Sequence, residues 1–262
     1  MRNTRRILTL ALVLFLALGA LAGQASAVKP VKVDRTHFPD AEFLEYVSKN
    51  VDKNRDGKLS TGEIKAVTSI LTRRSNIVSM KGVELFVNLK QLDCSSNNIK
   101  KLDLSRNVKL ENLNCSGNAL TSLDVSRNPK LESLSCGRNA LTRLNVSKNA
   151  SLKRLNCNGN GLKTLDVRKN SELENLSCSE NGLTKLAIGA HKQLFNLNCT
   201  KNKLKTVDVK GCPRLIAIVE NTRPGKGGTD VIWMDEDGDD EACVWIDRKT
   251  KLVNGAKVLY KP

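Results

Sequence analysis

The chain has 262 residues, with 43 Lys and Arg against 27 Asp and Glu, for a formal net charge of +16. Aromatic residues make up 3%, which excludes a large aromatic core and the interleaved aromatics of base-stacking nucleic-acid binders. A basic balance of this size favours anionic partners.

Residues 1–27 read as a signal peptide. Arg2, Arg5 and Arg6 precede an apolar run from Ile7 to Ala22, and Ala25-Ser26-Ala27 supplies small residues for cleavage. The alternative is an uncleaved anchor, because the run approaches spanning length. No cysteine stands at the cleavage site, so lipid attachment there is not expected. Removing the three arginines lowers the formal charge from +16 to +13. No other apolar run is long enough to span a bilayer, so the mature chain is expected to be soluble and exported.

Residues 28–66 read as a helical cap. Phe43, Leu44, Val47 and Val51 share one face at helical spacing, which predicts a helix over Phe38–Val51 with Asp40 capping its start. Next comes D-K-N-R-D-G-K-L-S-T-G-E, from Asp52 to Glu63. The run resembles the twelve-residue EF-hand calcium loop. The resemblance assigns Asp52, Asn54 and Asp56 to positions 1, 3 and 5, the Lys58 carbonyl to 7, Ser60 to 9 and Glu63 to 12. Gly57 permits the sharp turn, and Leu59 points to the core. Oxygen donors at this spacing suit Ca²⁺. Ser60-Thr61-Gly62-Glu63 also reads as a capping box, so a short helix is expected over Thr61–Ala66. With only one such loop in the chain, the ion is expected to brace the cap.

Residues 67–214 repeat. An irregular first unit, 67–88, carries its apolar pattern on Ile70, Ile77, Met80, Val83 and Leu85. Six 21-residue units follow over 89–214. Cys94, Cys115, Cys136, Cys157, Cys178 and Cys199 mark the period, and so do Asn97, Asn118, Asn139, Asn160, Asn181 and Asn202. Each unit is doubled, L-x-x-L-x-C-x-x-N-x followed by L-x-x-L-D-V-S-x-N-x-x. A leucine and a cysteine two apart lie on one face of a strand. One coil cannot bury that face alone, so coils stack at roughly 4.8 Å, into a slab about 35 Å long. The asparagine can bond turn backbone with both its donors and its acceptor.

This pattern resembles the leucine-rich-repeat family, and most closely its short nested 21-residue subclass in secreted bacterial proteins. The first unit resembles the 22-residue repeat of internalin-like proteins. The resemblance implies a mainly β solenoid of parallel strands with a helical cap at one end, acting as a binding scaffold. Strands are expected on both long sides of each coil, with the cysteines as buried thiols replacing a core leucine. Cys212 occupies an asparagine position, and a bridge to Cys243 is an open alternative to two free thiols.

Outward residues on the cysteine strands are small and polar, such as Asn112, Asn114, Asn175 and Asn196. The second half-repeat carries an acidic column, Asp103, Asp124, Asp166 and Asp208. Beside it runs a basic column, Arg106, Arg127, Lys148 and Lys169. The basic column is either a solvated surface paired with the acids or a stripe for an extended polyanion. Residues 215–262 read as a terminal half-coil, a loop at 223–228 and a β-hairpin cap around Asn254-Gly255, with Trp233 and Trp245 in its core. The acidic run Asp235–Glu241 reads as a solvated turn.

The two histidines, His37 and His191, lack a nucleophile or acid pair beside them in the pattern, so no enzyme activity is expected. The expected partner is a protein, as an adhesion or interaction module. The alternative is an anionic wall or host glycan polymer; nucleic acid is not expected. Oligomeric state is not legible in the sequence.

Overall fold

The computed structural model describes residues 30–221, 225–227, 230–234, 243–247, 249–254 and 257–260. The signal-peptide reading of 1–27 and the acidic run 235–241 lie outside the described residues.

The chain opens with β1 (Val31–Lys32), α1 (Ala41–Asn50), β2 (Lys58–Leu59) and α2 (Thr61–Ala66). Helix α1 starts three residues later than the periodicity suggests, because Pro39 and Asp40 stay outside it. Asp40 is the N-cap and accepts from Glu42 N and Phe43 N. Ser60 and Glu63 form the expected capping box at α2.

Solenoid strands follow on one long side: β3 (Ser69–Leu71), β4 (Gln91–Asp93), β5 (Asn112–Asn114), β6 (Ser133–Ser135), β7 (Arg154–Asn156), β9 (Asn175–Ser177) and β11 (Asn196–Asn198). They pair in parallel. The register steps by 22 residues from Ile70 to Leu92 and by 21 thereafter, Leu113 to Leu134 to Leu155. The middle residue of each strand is the core leucine, at most 2% exposed from Leu92 to Leu197. The fold is a parallel-strand leucine-rich-repeat solenoid, as the repeat implies.

The other long side is less regular than expected. Among the described residues of the repeats, strands form there at β8 (Thr164–Asp166), β10 (Lys185–Ala187) and β12 (Thr206–Asp208). In the earlier coils the same segments run without ladder pairing, yet Val125 and Val146 are fully buried. Apolar burial is met there without a second sheet.

The two ends are closed differently. At the entrance, Phe38 meets Phe43 edge-on at 5.8 Å and stacks on Phe86 at 6.4 Å. Gly82, at φ +104°, lies so close that a Cβ there would sit 2.4 Å from the Phe38 ring. At the exit, the expected half-coil is instead α3 (Pro213–Asn221). Pro213 suits the first helical turn, and Leu215 and Val219, four apart, are both buried. Part of the expected loop at 223–228 is β13 (Gly225–Gly227), antiparallel to β14 (Asp230–Met234). Then β15 (Cys243–Asp247) pairs antiparallel with β14 and parallel with β11, while β16 (Lys251–Asn254) pairs parallel with β12 and antiparallel with β17 (Lys257–Tyr260). The β cap therefore extends the main side by β15, β14 and β13 and the other side by β16 and β17.

Candidate functional site

Inside the coils, the cysteines stack as a ladder. All six are at most 1% exposed, and they are free thiols, as is Cys212. Thr72 occupies the same place in the first coil and Ile246 closes the far end, both buried. Burial pushes Cys94 and Cys136 up to about 12, and Cys115, Cys157 and Cys178 well above their ordinary value. A thiol held protonated and away from water is a poor nucleophile, so the ladder acts as packing. The residue two beyond each cysteine turns the chain with positive φ, from Ser96 at 55° to Lys201 at 54°, and the position is glycine at 117 and 159.

Each ladder asparagine ties two coils together. Asn139 donates through Nδ2 to the carbonyls of Cys115, Cys136 and Gly137, and its Oδ1 accepts from Leu120 N at 3.0 Å. Asn118, Asn160, Asn181 and Asn202 do the same one coil earlier or later. These asparagines are fully engaged and are not ligand contacts.

The outer face of the main sheet is different. The third residue of several strands accepts from the N–H two positions on, as Asn114 does from Ser116 at 3.2 Å and Asn156 from Asn158 at 3.1 Å. The first residue of each strand, in the column Gln91, Asn112, Ser133, Arg154, Asn175 and Asn196, has no side-chain hydrogen bond among the described residues. One unengaged polar group per strand thus repeats along the sheet at about 4.8 Å.

On the second long side, the acidic column is a turn device. Asp103, Asp124 and Asp208 each accept from the N–H two residues on, at 2.9 Å. These bonds hold Asp103 and Asp124 below the usual carboxylate range. Asp166 is lowered to about 2, chiefly by the Arg168 side chain, which it also ion-pairs. Of the two readings of the basic column, Arg106, Arg127, Lys148 and Lys169, direct ion pairing with these acids is not formed among the described residues, although the Arg127 charge helps lower Asp124. Those four are exposed and without an ion pair among the described residues. Ion pairs link other columns one coil apart, as in Lys90–Glu111, Lys153–Glu132 and Lys201–Glu180.

The 52–63 loop lies between α1 and α2, with Leu59 fully buried. Strand β2 within it pairs with β1, so Val31–Lys32 holds the loop's short strand. Gly57, at φ +74°, has open space beside it, so its conformation and not crowding calls for glycine. Asp52 is 3% exposed; Oδ2 accepts from Gly57 N at 3.0 Å, while Oδ1 is buried without a partner. Asp56 Oδ1 accepts from Lys58 N at 2.8 Å, and Asn54 Oδ1 from Asp56 N at 3.2 Å. Glu63 accepts from Lys53 N and Ser60 N, both at 2.8 Å. Hydrogen bonds from Ser60, then Lys53 and Asn54, hold its carboxyl below the usual range. The donor set of Asp52, Asn54, Asp56, the Lys58 carbonyl, Ser60 and Glu63 is of hard oxygens, and the unpartnered Asp52 oxygen suits a cation. The carboxylates here turn onto backbone N–H groups, and among the described residues no three His, Cys, Asp or Glu side chains cluster.

Sequence reasoning missed how the cap is tied down. Asp40 Oδ2 accepts from Val78 N at 2.7 Å and Ser79 N at 3.2 Å, and Asn88 Nδ2 donates to Lys65 O at 2.8 Å. Those partners are more than twenty residues apart, so no local pattern marks them. His37 Nδ1 meets Asp34 Oδ1 at 2.8 Å. His191 is fully buried in the second asparagine column, with neither ring nitrogen hydrogen-bonded, and burial lowers its pKa. The backbone of Ile188, Ser171 and Val167 lies near enough to oppose that shift only in part. Trp245 is partly buried, with its Nε1 unpartnered.

No family model matches the chain. Over 70 residues it is 39% identical to internalin J of Listeria monocytogenes serotype 4b (strain F2365), covering 27% of this chain and 8% of that protein. Among solved structures it is similar to the functional domain of InlJ from Listeria monocytogenes, described as including a cysteine ladder. The TM-score is 0.57 and the identity 28%, over 72% of this chain and 54% of that one. It is also similar to internalin C2 of Listeria monocytogenes str. 4b F2365, at TM-score 0.49 and 17% identity, over 71% of this chain and 94% of that one. The chain thus spans about half of the similar solved InlJ domain and a small part of the curated relative. Among the described residues no helix is long and apolar enough to cross a membrane.

Proposed function

We propose that this internalin-like leucine-rich-repeat chain is an exported scaffold that binds a protein partner along the outer face of its main sheet. The carrying observation is the in-register column Gln91, Asn112, Ser133, Arg154, Asn175 and Asn196, whose side chains have no internal hydrogen bond among the described residues. Their backbones are fixed by the ladder, so a partner meets preorganised amide and hydroxyl groups. A surface-protein and glycan array tests this. A protein hit that persists at high salt and is lost in Asn175→Glu supports the reading. A protein hit indifferent to Asn175→Glu removes the sheet face from it.

The 52–63 loop is proposed to hold Ca²⁺, which would supply a structural cross-link between α1 and α2. Asp52, Asn54, Asp56, the Lys58 carbonyl, Ser60 and Glu63 are the donors, and the unpartnered Asp52 Oδ1 supports this. Adding Ca²⁺ to an EDTA-treated sample should raise the melting temperature. An unchanged melt would remove the claim.

A second reading is attachment to an anionic wall or host glycan polymer. The unpaired exposed column Arg106, Arg127, Lys148 and Lys169 favours it. Such binding should collapse as ionic strength rises.

A further inference from the structure

The second long side repeats one turn in successive coils. Asp103, Asp124, Asp166 and Asp208 each accept the N–H two residues on. Asn145 stands in the same place and makes the same bond, Oδ1 from Ser147 N at 3.0 Å. The turn is kept and the negative charge is dropped. The amide NH₂ that replaces it has no partner among the described residues.

Around this substitution the surface dips into a hollow of about 460 Å³. Leu123, 8% exposed, is part of its lining. Arg143 and Lys148 flank Asn145, and neither has an ion pair among the described residues. Thr121, Thr142 and Ser126 add hydroxyls. The only carboxylate in the lining is Asp124, already bonded to Ser126 N at 2.9 Å. Two exposed cations, an amide donor without a partner among the described residues and several hydroxyls, against one engaged carboxylate, make a surface that attracts anions. In the next coil the equivalent charge is neutralised, because Asp166 ion-pairs with Arg168.

We infer that the hollow between residues 121–126 and 142–148 is a subsite for an oxyanion carried on a sugar chain. Arg143, Lys148 and the Asn145 amide take the oxyanion, and Thr121, Thr142 and Ser126 take sugar hydroxyls. Arg127 and Lys169 sit one coil to either side in the basic column, so the polymer can continue along it. The inference deepens the anionic-polymer reading and rests on it.

The test is calorimetric titration of the full chain at low salt. The probes are a sulfated oligosaccharide, a polyuronate oligosaccharide and a neutral oligosaccharide of equal length, an acidic peptide and inorganic sulfate. Asn145→Asp restores the residue used by neighbouring coils, so its melting temperature should match the parent. Its affinity for the charged oligosaccharides should fall about tenfold or more, with Arg143→Gln following and the neutral sugar not binding. Asn145→Asp binding within about twofold of the parent would overturn the subsite. If affinity is then lost instead in an Arg106→Gln, Arg127→Gln double variant, the anionic-polymer reading survives alone. Failure of the parent to bind either charged oligosaccharide sinks both. Equal binding of inorganic sulfate or of the acidic peptide overturns the sugar-chain assignment. Whichever charged oligosaccharide binds more tightly identifies the oxyanion.

Discussion

The solenoid carries two asparagine ladders, and they are built to different standards. In the first, Asn97 to Asn202, the carboxamide uses both ends. Asn160 donates to the carbonyls of Cys136, Cys157 and Asn158 and accepts from Leu141 N. In the second, only the NH₂ end is used. Asn149 donates to Val125 O and Asn128 O at 2.9 Å, and its buried Oδ1 has no partner. The sequence follows the chemistry. The first ladder keeps asparagine in all six repeats, whereas the second continues from Asn170 to His191 and then Cys212. A site matched at both ends admits one side chain; a site matched at one end tolerates replacement.

That contrast can be broken by mutation. Asn160→Ala strips partners from buried carbonyls and one N–H, and should cost about 3 kcal/mol. Asn149→Ala removes two donated bonds and an already unpaired oxygen, and should cost about 1–2 kcal/mol. Urea midpoints with unchanged slope measure both. Equal costs would show that the unpaired oxygen has no energetic meaning.

His191 sharpens the comparison. Burial holds its pKa below the ordinary 6.5, so the fold prefers the neutral ring. As pH falls through 6.5, the unfolded chain takes up a proton that the folded chain resists, so stability should decline with acidification over that window. His191→Asn should remove that decline. It should also gain about 1 kcal/mol at neutral pH, by donating to Val167 O and Asn170 O as Asn170 does to Val146 O and Asn149 O. Denaturation midpoints at pH 5 and 7.5 decide it; a parent with a flat profile would contradict the assignment.

The smallest effect is expected on the outside. Lys153→Ala breaks the Lys153–Glu132 pair between neighbouring coils. Both partners are partly exposed, at 39% and 43%, so the cost should be about 0.5 kcal/mol or less and should fade in salt.

Much of this was legible beforehand, and the reason is periodicity. A leucine and a cysteine two apart, repeated every 21 residues, leave one economical arrangement, and the register of β4 to β11 follows it. Asp40 and the Ser60–Glu63 box were readable because caps are local. The acidic column was read only by its charge. Charge signs along a sequence do not reveal that Asp103 and Asp124 are committed to their own turns. The hollow at Asn145 left a faint mark, an amide where its neighbours carry an acid. The 213–221 helix left another, since Leu215 and Val219 fit helical spacing as well as a broken half-coil.

By itself, the sequence determined the stack: its period, its buried thiols, the repeating asparagine column and the two helix caps at Asp40 and Ser60. All of these depend on residues near each other in the chain or repeated at one fixed interval. Only the tertiary structure decided how the ends are closed and which polar groups stay free. The parallel docking of β15 on β11, the Asp40 bonds to Val78 and Ser79 and the unengaged column on the main sheet depend on groups brought together from distant segments. A hydrogen bond is satisfied by whatever folding brings near, and a one-dimensional pattern does not record which neighbour arrives.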